Sequence, residues 1–135
     1  MIKDTLKDIF EAIPKIEQED KLLDNKYGID RELGLDPFEE KSIRRIFDEN
    51  IYEKELEKRL MTYDYDALLK TEALIYYGRD IASTKYKEKL HYFSKMAEPK
   101  EEIVRTILEK VPTCKRYIVA AIQKLQHEGL RIEDI

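Results

Sequence analysis

The chain has 135 residues, 40% of them charged and 42% hydrophobic, with a net charge of −4 and only four glycines and four prolines. That length buries one core unaided, and the composition is too apolar and periodic for a disordered chain and too poor in turn residues for a sheet protein. No uninterrupted apolar run approaches bilayer-spanning length, and the N-terminus alternates charged with apolar residues, unlike a signal peptide. The expectation is a single all-α domain over residues 1–135, a compact bundle of six or seven helices around a buried central helix at about 65–77.

In chain order, Leu6, Ile9, Phe10 and Ile13 recur at helical spacing, and Pro14 is expected to end or kink that helix. Asn25, Gly28, Asp30 and Gly34 mark a loop over 25–35. Asp36-Pro37-Phe38-Glu39 has the cap, proline and reciprocal Glu of a helix start, and Phe38, Ile43, Ile46 and Phe47 are expected to form that helix's buried side. Asp48-Glu49-Asn50 interrupts it, and a further helix carries Ile51, Tyr52, Leu56 and Leu60.

The central stretch runs from Asp64 to Asp80. Asp64 is placed to cap it, Asp66 complements the helix dipole, and the apolar residues from Ala67 to Tyr77 cover more than one face, as in a buried helix. Gly78 is expected to leave the helix through a left-handed turn. Ser83 or Thr84 then caps a helix bearing Tyr86, Leu90, Phe93 and Met96. After Pro99 comes the stripe Ile103, Val104, Ile107 and Leu108, with a tight turn expected at Val111-Pro112-Thr113. A last helix carries Tyr117, Ile118, Ala121, Ile122 and Leu125 to a Gly129 cap, and 131–135 are expected to fray.

Ala73-Leu74-Ile75-Tyr76-Tyr77-Gly78-Arg79, Tyr86, and Pro112 followed by Tyr117-Ile118 carry a likeness to a known family. The chain resembles the bacterial domain-of-unknown-function family numbered 3775 over roughly residues 1–125, departing from it at Tyr76, where the family has Trp, and at Asp80, where Gly is frequent. The resemblance implies a compact bacterial helical domain and no particular activity.

Within the central helix Glu72 falls on a face that should be packed, where a carboxylate needs partners, and Arg79 is the candidate. Glu72 and Arg79 read either as a polar site at the helix end or as an ion pair clamping the next segment. Glu88 and His91 have the spacing of half a carboxylate-bridged di-iron site, but the rest of that site is missing from the sequence, so the pair reads as surface neighbours and no metal or cofactor is expected. Ser42, Ser83 and Ser94 lie in no nucleophile-elbow pattern, and there is no glycine-rich phosphate loop. Cys114, the single cysteine, fits a reducing cytoplasm and reads as a small helix residue.

Two functional readings follow. The first is a cytoplasmic, non-enzymatic protein–protein interaction module, a homodimer or the partner of another protein, with an exposed apolar surface and no deep polar pocket. The second rests on charge. Residues 1–67 hold 12 basic and 19 acidic side chains, whereas 68–135 hold 13 basic and 10 acidic. With the turn at Pro112, the last two helices resemble a helix-turn-helix in which Thr113, Lys115, Arg116 and Lys124 would face nucleic acid.

Overall fold

The computed structural model describes residues 1–34 and 36–135; Leu35, the end of the expected 25–35 loop, lies outside them. Among the described residues there are six α-helices and no strand: α1 (Ile2–Lys26), α2 (Glu40–Phe47), α3 (Ile51–Leu60), α4 (Tyr65–Arg79), α5 (Tyr86–Met96) and α6 (Lys100–His127). Short 3-10 turns occupy Arg31–Leu33 and Ile132–Asp134.

Helix α4 is the axis. Asp64 Oδ1 accepts the Ala67 N–H at 2.8 Å and opens the helix. Ala67, Leu68, Leu69, Ala73, Leu74, Ile75 and Tyr77 are all buried, because α1, α5 and α6 close on different sides of it. Gly78 stays helical instead of turning left-handed. It faces α6, where a Cβ at this position would stand 1.8 Å from the Tyr117 carbonyl oxygen. The glycine therefore sets the closest approach of the two helices.

Both long helices run through their prolines. Pro14 lies inside α1 and Pro112 inside α6, each exposed on the solvent side. A mid-helix proline costs about 3 kcal/mol through a lost hydrogen bond and a clash. Ile2, Leu6, Ile9, Ile13 and Ile16 line one face of α1 across Pro14, and Val104, Ile107, Leu108, Val111, Cys114, Ile118, Ala121 and Leu125 do so in α6 across Pro112. Burying several such side chains at about 1.5–3 kcal/mol each outweighs one break. The turn expected at Val111-Pro112-Thr113 is absent, and the last two expected helices are one 28-residue helix.

The ends differ from expectation in two places. The N-cap of α5 is Lys85, not Ser83 or Thr84, and makes no side-chain cap; Glu128 Oε2, from the other end of the chain, accepts the Tyr86 N–H at 3.1 Å. Gly129 does adopt the expected left-handed conformation, with Leu130 N–H donating to Leu125 O at 2.8 Å and Gly129 N–H to Gln126 O at 3.0 Å. Beyond it the residues expected to fray are tied down: Arg131 N–H bonds Asp134 at 2.8 Å and Lys3 pairs with Glu133 at 2.5 Å.

Helix α2 overturns the burial expected of it. Asp36 Oδ1 accepts the Phe38 N–H at 3.0 Å but closes only a turn, and the helix begins at Glu40. Phe38 is 88% exposed, Phe47 82% and Ile46 69%, with Ile43 half-exposed. What α2 turns toward the body is polar. Ser42 is buried, and Arg45 donates to Asp24 at 3.0 Å and Asp20 at 2.9 Å on α1. The acidic end of α1 selects the basic side of α2, which leaves the apolar side in water.

Candidate functional site

Two features bear on function: an acidic cleft at the end of α4 and the apolar face around α2. In the cleft, Glu72 is 1% exposed, and neither carboxyl oxygen has a hydrogen-bond partner among the described residues. Burial, reinforced by the nearby charge of Glu98, raises its pKa to about 7. At neutral pH this group therefore divides between acid and carboxylate, an unusual state for a structural glutamate.

Arg79 does not meet it. The guanidinium lies over the Tyr76 ring, 4.4 Å from its centroid, and pairs with Asp80 at 3.1 Å. Lys89 reaches the same Asp80 at 2.5 Å, and these two cations hold its carboxyl below the usual range despite partial burial. The expected Glu72–Arg79 clamp is thus replaced by an Arg79–Asp80–Lys89 cluster, and Glu72 is left alone at the floor. Both residues nonetheless line one cleft of about 350 Å³, together with Tyr76, Phe93, Met96 and Glu98. This is the polar pocket that a pure interaction module was expected to lack. Sequence spacing singles out Glu72 and Arg79, and Asp80 follows directly in the chain, but Lys89 and Glu98 join them only through tertiary packing.

The four residues of the nucleic-acid reading are not brought together as a recognition helix. With α6 unbroken at Pro112 there is no helix-turn-helix. Thr113, Lys115 and Arg116 are exposed on the outside of α6. Lys124 is committed elsewhere: its ammonium donates to the Tyr77 carbonyl at 2.8 Å and to that of Asp80, satisfying the end of α4. Cys114 is fully buried, and burial pushes its thiol up to about 12, so it is inert rather than nucleophilic. Glu88 and His91 are exposed on α5, and no group of three potential metal ligands converges among the described residues.

The second feature is the outer face formed by Leu33 and residues 36–51. Leu33, Phe38, Ile46, Phe47 and Ile51 all stand more than half in water. Ile43, Ile46 and Phe47 sit on one side of α2, a turn apart, beside the edge that Ser42 and Arg45 use to reach α1. Asn50 anchors the far end: its amide N–H₂ donates to Ile16 O at 3.0 Å and Asp20 at 2.9 Å, while its oxygen accepts from Tyr52 and Glu53 N–H to open α3. A separate apolar groove of about 630 Å³ lies between α1, α6 and the chain end, floored by Leu6, Phe10, Ile122 and Leu125.

No family model, curated protein or solved structure matches this chain. The described helices include none long and apolar enough to cross a membrane.

Proposed function

We propose that this chain is a non-enzymatic interaction protein of the reducing cytoplasm, belonging to the bacterial family that its α4 stretch resembles, and that it works by docking the apolar face of α2 onto a second copy of itself. The observation that carries this reading is the exposure of Phe38, just ahead of α2, and of Ile43, Ile46 and Phe47 on a helix held to the body by polar contacts. An eight-residue helix is unstable alone in water, and a cluster of large apolar side chains on the surface of a small protein marks a contact site.

Charge favours a like copy. Glu39 and Glu40 stand at the start of α2 and the exposed Arg44 near its end, while Arg45 is committed to α1. Two copies packed antiparallel about a two-fold axis set the acidic start of one against the basic end of the other and stack Ile43, Ile46 and Phe47 between them. Sedimentation velocity across a concentration series tests this. A concentration-dependent dimer that Phe47→Glu and Ile46→Glu each abolish, with helicity unchanged, supports it. A wild-type monomer at the highest attainable concentration, or a dimer indifferent to both changes, overturns it.

A further inference from the structure

The cleft at the end of α4 is unexplained by self-association, and its chemistry is one-sided. Its floor is the Glu72 carboxyl, whose two oxygens have no donor among the described residues. The cations near it are already spent. Arg79 and Lys89 both turn to Asp80, while Lys110 lies 5.5 Å from the Tyr76 ring centroid. Glu98, at the start of the segment into α6, adds a second negative charge that faces Glu72. What the floor lacks is a positively charged N–H donor.

One wall is largely carbon, while Arg79, Asp80, Lys89 and Thr106 line the rest. Phe93 is packed edge-on against Tyr92 at 5.2 Å and tilted against Tyr76 at 4.9 Å, and Met96 continues this surface to the rim. Tyr92 is 60% exposed and Met96 50%, so this wall opens to solvent. We propose that this cleft binds a small organic ammonium ion, the Glu72 side chain turning outward from its covered position so that its two oxygens accept the ammonium N–H groups while the alkyl body lies against Phe93 and Met96. The ammonium supplies both missing donors, cancels the repulsion between Glu72 and Glu98, and gains from the aromatic wall. A neutral alcohol of the same size supplies one weak donor and no charge. An anion meets two carboxylates.

Binding is linked to protonation. The ammonium selects the ionised Glu72, so the acid form releases its proton to solvent on binding and affinity rises with pH between 5 and 8. The groups that bear on this titration are Tyr76 and Arg79 on α4, Asp80 after it, Lys89 on α5, Glu98 between α5 and α6, and Glu109 and Lys110 on α6.

The test is amide and Glu carboxyl NMR titration of the full chain with n-butylammonium chloride, with 1-butanol as the neutral probe, at pH 5 and pH 8. The expected result is saturable shifts at Glu72 and at 93–98 with butylammonium and none with butanol, with affinity about a hundredfold weaker at pH 5 than at pH 8. Glu72→Gln, which removes a buried charge and should fold well, abolishes saturation; Glu98→Gln, at a half-buried position, weakens it. Equal responses to the two probes, unchanged binding in Glu72→Gln, or no saturable shift with butylammonium would each overturn the assignment. The site shares no residue with the α2 face, so ligand binding and self-association fail independently.

Discussion

Gly78 on α4 faces the backbone of Tyr117 on α6 so closely that a Cβ would fall 1.8 Å from the Tyr117 carbonyl oxygen, with Ala121 N also within 2.9 Å. The obstacles are backbone atoms of a long, packed helix, which cannot swing aside. Alanine normally stabilises a helix interior by about 1 kcal/mol over glycine. Here Gly78→Ala must push α6 off α4 and is expected to destabilise the fold by about 3 kcal/mol or more. The urea midpoint of the variant, with its unchanged m-value, checks this; a midpoint at or above the wild-type value refutes the crossing.

The Glu72 carboxyl supplies a pH signature. Its folded pKa is raised to about 7 from an ordinary value of 4.5, so the native state holds this proton more tightly than the unfolded chain does. Its stabilising contribution is complete below 4.5 and is lost as pH rises through 7. The full span amounts to about 3 kcal/mol, an upper bound since water entry into the cleft reduces it. Because Asp8, Asp24 and Asp80 titrate in the opposite sense, the clean observable is a difference. Glu72→Gln should match wild type at pH 5 and exceed it in stability at pH 8, by denaturant midpoints at both values. A difference that does not grow with pH means that Glu72 is hydrated or paired in solution.

Helix α2 should be separable from the rest. Arg45 reaches Asp20 and Asp24 through partly buried ion pairs, and Asp24 is held below the usual carboxylate range by Arg31 first and by Arg45 as well. A lowered folded pKa stabilises above the unfolded value and ceases to do so as pH falls through the folded one. Arg45→Gln is therefore expected to free α2 at neutral pH, and acidification below about 4 to loosen it in wild type. Tryptic cleavage after Lys41 and Arg44 should quicken while amide protection of α4 and α6 holds. Loss of protection in α4 as well would show that α2 is part of the cooperative core.

The buried axis was legible because Ala67 to Tyr77 exceed a single stripe, and no arrangement except burial on several sides accommodates that. Local signals misled wherever tertiary burial outweighed them. Pro14 reads as an end or a kink and Pro112 as a tight turn, yet each stands on a solvent face of a helix whose opposite face is packed without interruption. Gly78 read as a cap because sequence cannot distinguish a glycine that needs a left-handed turn from one that needs the absence of a Cβ. The apolar spacing of α2 points to core, but its orientation is decided by Arg45 against Asp20 and Asp24, a pairing across more than 20 residues. At the cleft, Glu72 stood out as a carboxylate on an apolar face, whereas Glu98 had no mark until α5 and α6 brought it near.

Glu128 was equally unmarked, and it joins three elements. One of its oxygens accepts the Tyr77 hydroxyl from α4 and the Tyr86 N–H that opens α5. Burial raises both the Tyr77 and the Tyr86 phenol above their ordinary range, with Glu128 adding to the effect on Tyr77. Glu128→Ala orphans a buried hydroxyl and a helix N-terminus together and is expected to cost about 2–3 kcal/mol, with Glu128→Gln costing roughly half because its amide oxygen still accepts. Alkaline spectrophotometric titration gives an independent reading: two of the nine tyrosines should ionise only as the wild-type fold opens. In Glu128→Ala the carboxylate that disfavours Tyr77 ionisation is gone, so that phenol should titrate earlier. If all nine ionise together in the ordinary range while the helices remain intact, the junction at Glu128 is not formed.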